Sequence, residues 1–255
     1  MVQYRWNASG AAAGYDQAAQ HIHPYYTEIQ NVICDRLPYA KSDVFCLLDA
    51  GGGSGRLVER TLEEFDHAHA TIIDQSESFL AIAERRLKRF GSRVEWHCIS
   101  LQNDWTKVLS RPPNVIVSMS AIHHLDPEEK RQFYRQCFNA LTLDGLLLNG
   151  DEIRDRDDRS YLADVERWAR HMRLAMRKEL IPPTMHEAIL GWIDRNLNQF
   201  GRPKVSGDDC HETVEAQVGY LGESGFEQVG VVWRRSLWAV LHGTKSLAGS
   251  SRAER

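Results

Sequence analysis

The residues best suited to chemistry fall into two groups. The first is the run Asp49-Ala50-Gly51-Gly52-Gly53-Ser54-Gly55. Glycines tolerate positive φ and, having no Cβ, let a ligand come close to the backbone, so the run suits a nucleotide-like cofactor lying across a turn between a strand and a helix. Arg56 stands where the third glycine of the dinucleotide pattern G-x-G-x-x-G belongs, and the spacing is instead Asp-x-Gly-x-Gly-x-Gly. About twenty residues further on, Asp74 closes a second apolar run, where an acidic side chain is placed to bond both hydroxyls of a ribose. Capping the helix that starts at Ser76-Glu77 is the plainer use of the same residue. The second group is His123-His124, imidazoles that exchange a proton near neutral pH, with Asp151 and Glu152 as second candidates for a base.

These residues sit at the ends of elements that the apolar pattern outlines. Strands are expected at 44–50, 70–74, 94–99, 114–120 and 146–151, separated by helices starting near Arg56, Ser76 and Asp126, the last announced by Asp126 as N-cap, Pro127 and two glutamates. Strands alternating with helices at this spacing require a parallel sheet with right-handed crossovers. Two helices at 154–200 break the rhythm, and with the loop to 210 they form an insertion before a closing helix and two final strands that end near 243. Residues 1–40 read as an arm and helix covering the cofactor, 41–245 as the cofactor-binding domain with its lid at 154–210, and 246–255 as a flexible tail.

Trp6 and Tyr15 in the arm, with Trp168 and Arg195 in the insertion, are the candidate substrate contacts. The insertion's aromatic and cationic content suits a lid over an aromatic or anionic substrate, and equally a homodimer interface, while helical spacing alone makes core packing the simplest account. His21, His23, His67, His69, His171, His186 and His211 invite a metal reading, but no acidic or cysteine partner stands at ligand spacing, so no metal is expected. A net charge of -4 gives no general attraction for nucleic acid. Five scattered cysteines without a C-x-x-C pair read as reduced thiols, and neither a membrane span nor a leader pattern is present, so a soluble cytoplasmic protein is expected.

Taken in order, Asp49 to Gly55, Asp74, the segment 118–125, the segment 141–148 with its Asp144-Gly145 turn, and Leu221-Gly222-Glu223-Ser224-Gly225-Phe226 resemble the landmarks of the class I S-adenosylmethionine (SAM) dependent methyltransferases. The resemblance implies an α/β, Rossmann-like sheet of seven mostly parallel strands with helices on both faces and the last strand antiparallel. It implies SAM across the carboxyl ends of the first strands, held by Asp49, Gly51, Gly53, Gly55, Asp74, Gln75, Ser100, Leu101 and Ser118. Where the family usually offers an acid to the adenine amino group, this chain has Ser100, with Gln102 and Asn103 two and three residues on as the alternatives. The activity implied is in-line transfer of methyl to an O, N or C nucleophile of a small molecule, with His123 or His124 as the base. The stretch 212–245 is also similar to the carboxyl end of the carboxy-SAM synthases, which serve a tRNA wobble modification and use an arginine of the insertion for the added carboxylate, here Arg195 or Arg202. A SAM-binding protein without turnover is the third alternative.

Overall fold

The computed structural model of the protein describes residues 10–246, so Trp6 and the tail beyond 246 lie outside the described residues. Seven strands form one sheet in the order β3-β2-β1-β4-β5-β7-β6. These are β1 (Cys46–Ala50), β2 (His69–Asp74), β3 (Val94–Cys98), β4 (Val115–Met119), β5 (Gly145–Glu152), β6 (Glu227–Arg235) and β7 (Trp238–Lys245). All run parallel except β7, which is antiparallel to both β5 and β6. This is the expected architecture, and the reversed strand is the last one.

The central strands are apolar runs because both of their faces are covered. Leu47, Leu48, Val115, Ile116 and Val117 are all buried. The first strand begins at Cys46, two residues later than the apolar run suggests, because Val44 is 74% exposed in the approach to the sheet. On one face pack α2 (Tyr26–Asp35), α3 (Arg56–Glu64) and α4 (Glu77–Leu87); on the other, α5 (Pro127–Ala140) and α8 (Val214–Glu223). Local signals set the helix starts. Ser76 accepts from the Phe79 N–H, and Asp126 and Glu129 form a reciprocal capping box with Pro127 in the first turn.

The carboxyl ends of β1, β2 and β4 open on one side, and three further helices close over them. α6 (Asp158–Arg177) and α7 (His186–Ile193), the latter running into a π turn at Asp194–Asn198, are the insertion. α1 (Ala11–Ile22) bridges from the glycine run to that insertion. At its first half Asp16 accepts from Ser54 Oγ, from Arg56 Nε at 2.8 Å and from Arg86 at 2.8 Å. Burial opposes the Asp16 charge, but these donors outweigh it and hold the carboxyl below its ordinary pKa. At the far end Trp168 Nε1 donates to the Ile22 carbonyl at 2.7 Å, and the His171 ring bonds the His21 carbonyl at 2.8 Å. The five cysteines are unpaired, and no helix of the described residues is long and apolar enough to cross a membrane.

α2 lies close on β5 because Gly150 offers no side chain. A Cβ there would stand 2.5 Å from Ile29 Cγ2 and 3.2 Å from Ile33 Cδ1. Gly150→Ala is therefore expected to destabilise the protein by about 1–3 kcal/mol through overpacking, read as a lowered denaturation midpoint in urea; an unchanged midpoint would show that α2 moves freely.

Candidate functional site

Gly51 (φ 72°) and Gly55 (φ 76°) take up left-handed backbone that lets the chain turn sharply from β1 into α3. A Cβ on Gly51 would lie 2.5 Å from Ala121 Cβ, so the loop after β4 presses directly on the loop after β1. Gly53 has open space in front of it, its nearest contacts being at 3.9 Å. Gly55 does not face that space. A Cβ there would strike Leu87 Cδ1 at 2.8 Å, so its bareness serves the packing of α3 against α4, and Gly55, expected at the cofactor, is not among the residues lining the cavity.

Asp74 is held on both sides. Its Oδ2 accepts from the Gly53 N–H at 3.0 Å and its Oδ1 from the Ser76 N–H at 2.8 Å, while Ser76 itself caps α4. The carboxylate is thus left as part of the cradle. Burial pushes its pKa up to about 6 against those bonds, and burial together with Asp74 pushes Asp49 up to about 7. Both line a cavity of about 690 Å³, with Gly51, Gly53, Gln75 and Leu101. Two of the expected cofactor residues do other work. Ser118 is buried with its Oγ donating to the Ala50 carbonyl at 2.8 Å, which ties β4 to β1, and Ser100 donates to Gln102 Oε1. Gln102, not Ser100, reaches the cavity wall.

The same cavity continues under the helices. Tyr15, Trp168 and Arg195 all stand on its wall, joined by His23, Tyr26 and Met185. Trp168 is only 5% exposed, so most of its ring is core, as its helical spacing suggests. His123 and His124 lie where the two ends of the cavity meet, on a short 3-10 turn after β4.

His123 is surrounded by acid. Its Nδ1 is 2.7 Å from Asp151 Oδ1 and 2.9 Å from Glu152 Oε2, and its N–H donates to Asp151 Oδ2 at 2.7 Å. Glu152 also lies 3.0 Å from His23 Nδ1, accepts from Trp238 Nε1 at 3.2 Å, and through His23 meets the Tyr15 hydroxyl, 2.8 Å from His23 Nε2. Burial favours a neutral ring, but Glu152 and Asp151 outweigh it and raise the His123 pKa to about 10. The same pairing drives Glu152 well below its ordinary value. Two buried carboxylates from β5 thus favour the protonated ring as their counter-charge, which weighs against His123 and toward His124 as the base.

On the other side of the ring stands Asp209, with Oδ1 3.9 Å from both His123 Nε2 and His124 Nδ1 and Oδ2 accepting from Asn196 at 2.8 Å. Burial opposes its charge, but His124, His211 and His123 hold its pKa down to about 2. The loop that carries it is laid on the histidine turn by the Gly207 and Cys210 N–H groups, each 2.8 Å from a histidine carbonyl, and is anchored by fully buried Lys130, 2.9 Å from Glu212. Asp209 and the structural place of His23 escape sequence reading, since each meets its partners across more than one element. The density of ionisable residues in Asp208-Asp209-Cys210-His211-Glu212 was the one local signal. His123, His124 and Asp209 bring ligand-type atoms within 4.8 Å of one another, as do His123, Asp151 and Glu152. His21, His67, His69, His171 and His186, on which the sequence weighed a metal, lie outside both groups.

A seven-stranded, mostly parallel sheet with a reversed last strand and a cradle at the ends of β1 and β2 is the architecture of the class I SAM-dependent methyltransferases. Residues 47–145 match the family model described as a methyltransferase domain, a domain whose cofactor is SAM. The chain is 28% identical over 148 residues to malonyl-[acyl-carrier protein] O-methyltransferase of Bacillus cereus, covering 58% of this chain and 51% of that protein. It thus spans about half the length of that relative. It is 22% identical over 191 residues to carboxy-S-adenosyl-L-methionine synthase of Nautilia profundicola, covering 70% and 80% of the two chains. The structure of an O-methyltransferase family protein from Burkholderia thailandensis superposes with a TM-score of 0.63 at 15% identity, covering 96% of this chain and 62% of that one, a likeness of fold.

The raised pKa of His123 has a stability consequence with a definite sign. A histidine at about 10 in the folded state, against an ordinary 6.5, adds stability that is complete below about pH 6.5 and lost as pH rises through about 10. Between pH 7.5 and 10 the wild type should lose on the order of a few kcal/mol relative to His123→Gln, followed by thermal melting of both chains. Parallel curves would show that the ring is neutral.

Proposed function

We propose that the chain is a SAM-dependent methyltransferase acting on an O, N or C nucleophile of a small molecule. The observation that carries this reading is one continuous cavity that joins the glycine cradle and Asp74 to the His123–Asp209 centre beneath α1, α6 and α7. The residues present fit SAM. Asp49 is a buried carboxylate facing the cavity, suited to a cationic amino group; Asp74 is placed for ribose hydroxyls; Gly53 leaves the backbone bare where a ligand would press. When bound, SAM supplies an electrophilic methyl on a sulfonium.

The protein's remaining tasks are to orient the acceptor and to keep water out. α1, pinned by Asp16 at one end and by Trp168 and His171 at the other, roofs the cavity and excludes solvent. The charge of His123 is answered within the protein by Glu152 and Asp151, which leaves His124, beside it on the cavity wall, as the residue proposed to take the acceptor's proton. The partner set implied is a small molecule without direct nucleic-acid or membrane contact, and a homodimer, where one forms, would use the inserted helices. A second reading, a SAM-modifying enzyme like the carboxy-SAM synthases, draws on the 191-residue likeness to one of them. Mass spectrometry of the cofactor retained by the purified protein separates the two.

Asp74→Ala should weaken SAM binding by about ten-fold or more, the loss of charge-assisted hydrogen bonds, measured by calorimetry. Unchanged affinity, or no SAM heat with the wild type, would sink the reading.

A further inference from the structure

At its acceptor end the cavity wall carries a guanidinium that no carboxylate of the described residues answers, while the other unpaired charge of the same helix on that wall, Glu187, is exposed to solvent. Arg195 lies on the wall, half-buried, in the π turn Asp194–Asn198. No carboxylate among the described residues is within ion-pair distance of its guanidinium. The adjacent acid, Asp194, is turned to Asn198 Nδ2 and Gln199 Nε2, each at 2.7 Å. The other arginine on the wall, Arg56, is taken by Asp16.

A guanidinium that has lost part of its hydration and gained no counter-ion is costly unless a ligand supplies one. Its planar fork matches a carboxylate, which it binds through two parallel N–H···O bonds. The surrounding wall is of a different kind. Trp168 and Trp192 stand with ring centroids 4.3 Å apart, and Met172 and Met185 add polarisable sulfur, a lining suited to a flat apolar ring. The position of the charge is also built in. The same π turn that carries Arg195 presents Asn196 to Asp209 at 2.8 Å, and the Lys204 ammonium donates to the Arg195 carbonyl at 2.8 Å. A ligand gripped by Arg195 is thereby set at a fixed distance from the His123–Asp209 centre.

We propose that the acceptor end takes an aromatic acid, its carboxylate bound by Arg195 and its ring held among Trp168, Trp192 and the two methionines. That this acid is the molecule methylated rests on the methyltransferase reading; its binding does not, and is measurable without SAM. The other source of the same chemistry is the carboxylate of the cofactor's own methionine part, so the test separates the two.

The probes are 1-naphthoate and 1-naphthamide, equal in shape and different in charge, titrated calorimetrically into the full chain, with SAM titrated in parallel. The wild type should bind the acid about ten- to a hundred-fold more tightly than the amide. In Arg195→Gln the preference should fall to near unity while SAM affinity stays the same. Arg195→Lys, which keeps the charge and loses the fork, should retain an intermediate preference and covers the case in which the glutamine variant does not fold. Equal binding of acid and amide, binding of neither, or a preference that survives Arg195→Gln overturns the proposal. So does a variant that weakens SAM and leaves the acid preference intact, which would give the guanidinium to the cofactor. A wild type that prefers the acid and fails to bind SAM would uphold the anion site and count against the methyltransferase reading alone.

Discussion

Two carboxylates with almost no access to water, Asp151 and Glu152, stand at the carboxyl end of β5, and much of the molecule is arranged to make that tolerable. An isolated buried charge of this kind costs several kcal/mol. His123 answers it from β4, His23 from the junction of α1 and α2, Trp238 from β7 and Ser120 from the strand end. These groups come from three separate parts of the chain: the segment after β4, the junction of α1 and α2, and β7. The cluster therefore acts as the joint at which the sheet, the N-terminal helices and the histidine turn are brought into register, and the cavity inherits its shape from that joint.

This arrangement also bears on the chemistry of His123, which the sequence offers as a base. Basicity is a property of surroundings. A neighbouring pair of carboxylates makes the proton on His123 harder to remove, while the nearby His211, buried with less acid around it, is pushed down to about 4. Two rings 5.6 Å apart thus sit on opposite sides of neutrality. The centre is electrostatically graded over the width of one side chain.

What could be read from the sequence was what is written locally. Apolar runs gave the parallel strands, Ser76 and Asp126 marked their helices through hydrogen bonds spanning three residues, and the Asp49–Gly55 spacing gave the cradle. Asp74 was legible in its place at the end of β2, while its bonds to the Gly53 and Ser76 N–H groups were not. Gly55 and Ser118 were not, because whether a small residue faces ligand or core depends on what packs behind it: Leu87 in one case and the Ala50 carbonyl in the other. Asp209 and His23 were invisible for a related reason. Their partners are distant in the chain, and no periodicity records a meeting that only the folded sheet brings about. Trp168 sat between the two kinds, its spacing right for core and its exposed edge left for the cavity.

The π turn at the end of α7 places two consecutive residues in different neighbourhoods, Arg195 on the cavity wall and Asn196 against Asp209. The two cannot drift apart over evolutionary time by small steps. A deletion that restored a regular helix would rotate both at once, shifting the guanidinium and releasing the aspartate beside His123. Side-chain replacement at 195 can alter the cavity wall without touching Asp209, whereas any change to the backbone of the turn reaches both.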